Sequence, residues 1–384
     1  MNFILFIVVL GVLIFAHELG HFLVAKKCGM RVDEFGLGFP PRVFGKKIGE
    51  TIYSLNWIPF GGFVKIFGEN PSASPETERL ATSEERSFGK KNRGLQAAVL
   101  VAGVTFNVIF AWLLISISFV SGFPAPVGYY QGVSVENPRL VLTQVLINSP
   151  AARTGLQAGD AIISITAGAD SLITLNAEAV SDFMNQHEGK EILLGYERGS
   201  EKKEVKITPV SGIVSSRAAI GVGLDLIGVV KLPFFRALWE SAKTTGALLV
   251  EITKGIGKFF YKAFTFQANF SEVAGPIGIA GLVGSAARMG FANLLGFTAF
   301  ISLNLAVINL LPIPALDGGR LLFVAIETIR RRPLNPKIVN YLNGVGFALL
   351  LILMLVITYK DVIKLFWWRK FLEPMIFAVY IPKK

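Results

Sequence analysis

Residues 2–27 read NFILFIVVLGVLIFAHELGHFLVAKK. An uncharged apolar run leads into His17-Glu18-Leu19-Gly20-His21 and closes on Lys26-Lys27. About 20 apolar residues are enough for a helix to cross the hydrocarbon core. No basic residue precedes the run and no small-residue cleavage site is evident, so it reads as a transmembrane helix and not as a signal peptide. Two histidines and a carboxylate are costly inside a bilayer, and such groups mark an intramembrane function. At positions i and i+4 both imidazoles share one helix face and can reach one metal ion. The carboxylate beside them can activate a water. H-E-x-x-H on a helix is a zinc-protease signature, which makes His17 and His21 metal ligands and Glu18 the general base. Two rivals use the same residues: a polar patch satisfying another helix, and an ion or metal transporter.

The rest of the chain extends the membrane reading. Of its 384 residues, 52% are hydrophobic and 17% charged, against about 25% charged in a soluble domain. Further apolar runs are Leu95 to Val120, Phe291 to Leu311 (continuing past a proline-interrupted stretch to Ile329), and Val345 to Ile357. Gly103 and Asn107 lie one turn apart in the second run, a spacing that lets helices approach closely. The expected fold class is a polytopic α-helical membrane protein with four transmembrane helices, membrane-associated β loops and an inserted α/β domain. Both termini then lie on one side.

The net charge of +11 does not indicate nucleic acid, because the basic residues flank apolar segments, as in Lys90-Lys91-Arg93 and Arg330-Arg331-Arg332. Residues 26–93 hold 12 Lys/Arg against 8 Asp/Glu, and residues 330–337 hold 4 Lys/Arg and no acid. The positive-inside rule puts both loops in the cytoplasm and residues 122–290 outside, in a multi-pass protein of the inner (plasma) membrane. The tail from Lys360 to Lys384 is also basic and argues the other way. With Cys28 as the one cysteine, no intrachain disulfide or cysteine metal site exists.

Three stretches between the spans have character of their own. Arg31 to Phe67 reads as short β segments broken by Gly and Pro, whereas Glu69 to Arg86 is polar and reads as flexible. Residues 122–229 contain strand candidates at Val141 to Ile147, Ala161 to Ile165, Ile192 to Glu197 and Glu204 to Thr208, with a helical pattern at Ala177 to Gln186. From Phe234 to Phe264 the charged residues step by three or four apart from a gap at Ala247, which predicts an amphipathic helix lying on membrane lipids.

A hydrolytic zinc takes three protein ligands and a water, so a third ligand must come from far along the chain. His187 is the other histidine, expected at a surface helix end of the outer domain. Asp317 is the better candidate, as the one acid between Glu272 and Glu327. It follows Pro312 and Pro314, which break the helix; such irregular backbone at membrane depth is tolerated where it lines a cavity. The bland alternative is a carboxylate capping a helix at the break.

The pairing of HELGH in the first helix with N-x-x-P-x-P-x-L-D-G from Asn309 to Gly318 resembles the site-2 protease family of intramembrane zinc metalloproteases (M50-type), most closely its bacterial RseP-type regulators. The resemblance covers nearly the whole chain. Gly36 to Pro40 and Gly61 to Lys65 resemble the family's membrane-associated β loops, Ser149 to Asp160 the start of its PDZ domain, and Gly275 to Ala280 the segment before its third span. The chain departs from the family where Ala102-Gly103-Val104 replaces Ala-Gly-Pro, and its length fits one PDZ domain where some members carry two.

The resemblance implies Zn2+ held by His17, His21 and Asp317, and single-span membrane protein substrates such as anti-sigma factors or remnant signal peptides. It implies that Asn309 and Asn304 hold the substrate backbone. Gly62, Phe63 and Val64 lie in a segment, Gly62 to Ile66, that could offer a strand edge to an unwound substrate. The expected organisation is residues 1–121 with two spans and a β loop, 122–229 as an extracytoplasmic PDZ-like domain that binds peptide ends or filters substrates by size, 230–290 as surface helix and connector, and 291–384 with two spans and a basic tail. A non-catalytic PDZ membrane receptor is a further rival, disfavoured because a silent relative has no need of all four polar groups. A transporter should show internal repeats, and none is found.

Overall fold

The computed structural model describes residues 2–69, 85–128, 135–146, 148–199, 201–214, 217–265, 267 and 274–378. Most of the polar segment expected to be flexible, and the final Lys383-Lys384, lie outside the described residues.

In chain order, α1 (Asn2–Lys27) is followed by β1 (Val32–Ile48), β2 (Thr51–Ile66), a 3-10 turn at Phe88–Lys90 and α2 (Arg93–Ser121). Then come β3 (Phe123–Pro126), β4 (Glu136–Val145), α3 (Pro150–Arg153), β5 (Ala161–Ala167), β6 (Asp170–Ser171) and α4 (Ala177–Gln186). The middle of the chain ends with β7 (Ile192–Arg198), β8 (Glu201–Ile207), β9 (Val210–Val214), β10 (Arg217–Ala219) and β11 (Val222–Val230). The last five elements are helical: α5 (Phe234–Phe264), α6 (Pro276–Arg288), α7 (Phe291–Asn309), α8 (Asp317–Arg330) and α9 (Pro336–Ala378).

Among the described residues, four helices are long and apolar enough to cross a membrane: Phe3–Lys27, Arg93–Ser121, Phe291–Asn309 and Pro336–Ile363. Their outward faces carry large exposed apolar side chains, such as Ile4, Val8, Leu349 and Leu355, which in water would be a liability and in lipid are the expected surface. The third apolar run does not continue to Ile329 as expected. It stops at Asn309, and Asp317 begins a separate helix, because Pro312 and Pro314 withhold backbone donors between them. The fourth helix is longer than its apolar run, starting at Pro336, where proline's fixed φ suits a first turn.

The chain forms two compact units. The first comprises Met1–Ile115, Glu240–Ser285 and Phe297–Lys384. Here β1 and β2 bend back on themselves. The first half of β1 pairs with both ends of β2, Phe35 facing Tyr53 on one side and Val64 on the other. The later half of β1 pairs with the start of β2, so the spatial order is 42–48, 51–56, 32–37, 62–66. Residues 62–66 are therefore an edge. Phe22 of α1 packs on the sheet, its ring 5.2 Å from that of Phe35 and 5.9 Å from that of Tyr53. Val99, Leu100 and Val324 extend this core to α2 and α8. At the β1–β2 turn, Glu50 accepts from Arg86 through both oxygens, at 2.7 Å each, and from Lys26 at 2.7 Å. Arg86 above all, then Lys26, hold the Glu50 carboxyl down at about 2.

The second unit comprises Ser116–Trp239 and Ala286–Gly296. Its sheet runs in the order β3-β11-β4-β5-β7-β8, with β6 beside β5. The expected hairpin is present, pairing Ile192 with Ile207 through to Arg198 with Glu201. α4 occupies the residues where the helical pattern put it, with Asn176 capping it through an amide oxygen that accepts from the Ala179 N–H at 2.7 Å. Leu142, Ile165, Phe183, Ile192 and Leu194 form the core. His187 is not on the surface. Its ring stacks on Phe183 and its Nε2 lies 3.1 Å from Asp170 Oδ2, which buries it at the end of α4.

Candidate metal centre and substrate cavity

His17 and His21 share one face of α1, as their spacing requires, and Asp317 reaches them from the first turn of α8. Two sets of glycines make this approach possible. A Cβ on Gly20 would lie 2.5 Å from the Ala102 carbonyl oxygen, so only glycine lets α1 meet α2 this closely. Cβ atoms on Gly318 and Gly319 would lie 2.3 Å from the Leu310 oxygen and 2.2 Å from the Ile313 oxygen. The start of α8 can thus fold against the broken segment after α7, carrying Asp317 inward. Ala315, two residues earlier, adopts φ +77, a region that disfavours a side chain, and its N–H donates to Asn343 Oδ1 at 3.2 Å.

The three ligand atoms form a nearly equilateral triangle. His17 Nε2 lies 3.1 Å from Asp317 Oδ2, His21 Nε2 lies 3.3 Å from the same oxygen, and the two nitrogens are 3.2 Å apart. Ligands about 2.0–2.1 Å from a tetrahedral zinc stand about 3.3 Å from one another, so the triangle fits that ion.

The outer partners agree with this fit. His21 Nδ1–H donates to the Val99 carbonyl at 2.8 Å, which leaves the Nε2 lone pair facing inward. His17 Nδ1 lies 3.2 Å from the side-chain amide of Asn107, whose other heteroatom, Oδ1, is buried without a partner among the described residues. With the amide rotated to set Oδ1 toward the ring, His17 Nδ1–H donates to it and Nε2 presents its lone pair. Two nitrogen lone pairs and a carboxylate oxygen then converge on one point, an arrangement that repels itself unless a cation fills it. Asn107 is the site residue that sequence reading passed over. It was seen as a packing position, although an uncharged amide in an apolar span already signals a buried partner. Asn107→Ala is expected to weaken zinc binding about 10–100-fold, as losses of outer partners do, measured by competition with a chromogenic chelator.

A cavity of about 780 Å³ opens on this triangle. Glu18 lines it together with Gly62, Phe63 and Val64 of the edge strand, and a Cβ on Gly62 would lie 3.2 Å from Glu18 Cγ. Asn304 and Asn309 are not among its lining residues. The amide of Asn304 is turned back on its own helix, donating to the Phe300 carbonyl at 2.8 Å, and Asn309 is the last residue of α7.

A family model for peptidase family M50 matches residues 5–353. This chain belongs to peptidase family M50. Zinc metalloprotease RasP of Geobacillus kaustophilus is 29% identical over 439 residues, covering 95% of this chain and 98% of that protein. Regulator of sigma-W protease RasP of Bacillus subtilis is 29% identical over 435 residues, covering 94% and 98%. A Clostridium acetobutylicum protein, named provisionally as a zinc metalloprotease, is 32% identical over 362 residues, covering 94% and 97%. The solved PDZ domain of an SdrC-like protein of Listeria monocytogenes covers 24% of this chain and 93% of that domain, at 22% identity and a TM-score of 0.20. The M50 protein described here is a membrane zinc metalloprotease.

Proposed function

We propose that this metalloprotease cuts single-span membrane proteins within or beside the bilayer of the inner membrane. One observation carries the proposal: a membrane-length helix, α1, puts an H-E-x-x-H triangle completed by Asp317 into the same cavity as a free strand edge. His17, His21 and Asp317 hold the zinc. Bound zinc supplies Lewis acidity, polarising a scissile carbonyl and acidifying a water. Glu18 takes the proton released as the water attacks, then gives it to the leaving nitrogen.

A substrate helix hides its carbonyls in internal bonds and must unwind before it can be cut. Gly62 to Ile66 receive the unwound segment as an added strand, main chain to main chain. Val64→Pro removes one donor from that edge and is expected to lower cleavage about 10-fold, roughly one hydrogen bond's worth, with zinc content unchanged. Normal cleavage by this variant, measured on a purified single-span substrate, would remove the strand edge from the mechanism.

The relative named as a regulator of sigma-W protease makes membrane-anchored anti-sigma factors the first substrate class to test, with remnant signal peptides second. The second unit is read as a PDZ-like domain facing outward. A cavity of about 180 Å³ between α4 and Ala218–Leu224 suits a peptide end, but we assign the domain to size filtering. α5 lies on the membrane surface, where its exposed Phe235, Trp239, Tyr261 and Phe264 meet lipid. The test is reconstitution in lipid with two substrates, one with its outer domain intact and one trimmed. The full chain should cut only the trimmed form, and a zinc chelator should stop it. A chain lacking residues 133–210 should cut both; continued resistance of the intact form refutes the filter.

A further inference from the structure

A second cavity, of about 310 Å³, adjoins the first. The two share Gly68, Glu69 and Arg320 as walls, and the Glu69–Arg320 ion pair stands at the boundary. All these groups belong to the first compact unit. The second cavity is formed by the turn before α2, the start of α2, one face of α8 and the first turns of α9.

Its chemistry points to an apolar side chain. Phe88, Leu100, Phe323 and Val324 supply an apolar wall. Charges are present but mostly answered from within: Arg93 pairs with Glu327 at 2.7 Å, and Arg320 pairs with Glu69. Lys90, exposed at the rim, is the other lining cation, so the interior itself is apolar. Ser87 is fully buried on the wall, and its hydroxyl has no hydrogen-bond partner among the described residues. A buried hydroxyl without a partner is destabilising, and an entering peptide group could relieve it. The size sits at the lower end of ligand pockets.

Its position points to the substrate. The edge strand Gly62–Ile66 lines the catalytic cavity, and the chain leaves it through Gly68 and Glu69, where the second cavity begins. A strand added antiparallel to this edge runs the opposite way, so its residues beside Gly68 are N-terminal to those beside Gly62. We propose that the second cavity is a specificity pocket taking one bulky apolar side chain from the substrate stretch N-terminal to the scissile bond. The proposal rests on the strand-addition reading of Gly62–Ile66.

The test uses the full chain with zinc, reconstituted in lipid, and trimmed single-span substrates. Each of the positions upstream of the cut is changed in turn between Leu and Ala. One position should favour Leu by about 10-fold or more in kcat/KM, the scale of apolar pocket discrimination. Val339 lines the cavity from α9 and is only partly buried, so Val339→Trp can fill the pocket without disturbing the core. This variant should abolish or invert the preference at that one position, the Leu substrate losing at least about 10-fold more than the Ala substrate. Val339→Ala should widen the preference toward Phe. An unchanged preference in Val339→Trp overturns the proposal, as does an equal loss on Leu and Ala substrates, which would mark a structural or lipid-binding role. Val64→Pro separates this from the reading beneath it: if that variant cuts normally, strand addition itself fails, whereas a defective Val64→Pro beside an unselective pocket refutes the pocket alone.

Discussion

Glu18→Gln is expected to lower cleavage about 10²–10⁴-fold while the chain keeps its zinc. The amide matches the carboxylate in shape but accepts no proton at neutral pH, so the attacking water loses its base. The metal triangle should be untouched, because it is built from His17, His21 and Asp317 and not from Glu18. The measurement is paired: cleavage of a trimmed single-span substrate, and zinc per chain by elemental analysis, on wild type and variant purified in detergent. Activity near the wild-type level would remove Glu18 from the chemistry. Loss of both activity and zinc would mean that Glu18 supports the centre structurally, and the general-base role would have to be abandoned.

The second large effect is expected from the smallest change, Gly103→Ala. A Cβ at this position would lie 2.3 Å from His21 Nε2 and 2.7 Å from His17 Cε1, contacts that no real structure sustains. Either a ring rotates away, which breaks the triangle and its bond to Val99 or Asn107, or α2 is pushed off α1. Zinc affinity should fall by at least the 10–100-fold seen when outer partners are lost, and cleavage should fall with it. Gly11 is the matched control. It too sits within a membrane-length helix, with nothing inside 4 Å of its Cβ position, so Gly11→Ala should leave zinc and activity alone. Equal zinc affinity in Gly103→Ala and wild type would show that the two helices can separate without loss, and that the close approach of α2 is not what orients the histidines.

Much of this protein could be read along the chain. The spans followed from length and hydropathy, since a helix is the one open segment that satisfies its own backbone in lipid. H-E-x-x-H announced a metal because both ligands come from consecutive turns of a single helix, whose geometry is known in advance. Asp317 stood out as a lone acid after two prolines. The limits of α4 and α5 emerged from a helical pattern and a charged stripe, both local signals.

Other features were decided only in three dimensions. The edge character of Gly62 to Ile66 depends on β1 pairing with both ends of β2, a long-range choice that alternation cannot register. Asn309 matched a motif and Asn304 followed from the family resemblance, yet the Asn304 amide turns to its own backbone and neither residue is on the cavity wall. His187 is buried by a stack on Phe183, one turn back on α4, and by a contact of its Nε2 with Asp170 on another element. Gly103 and Asn107 looked like packing positions because a sequence shows that two helices can come close but not what lies between them. Sequence by itself picked out the groups proposed for zinc and proton transfer, His17, Glu18 and His21 by their spacing on one helix and Asp317 as a lone acid after two prolines. The close approach of α1, α2 and α8 decided how they meet, because orientation of a ligand ring is set by neighbours distant along the chain.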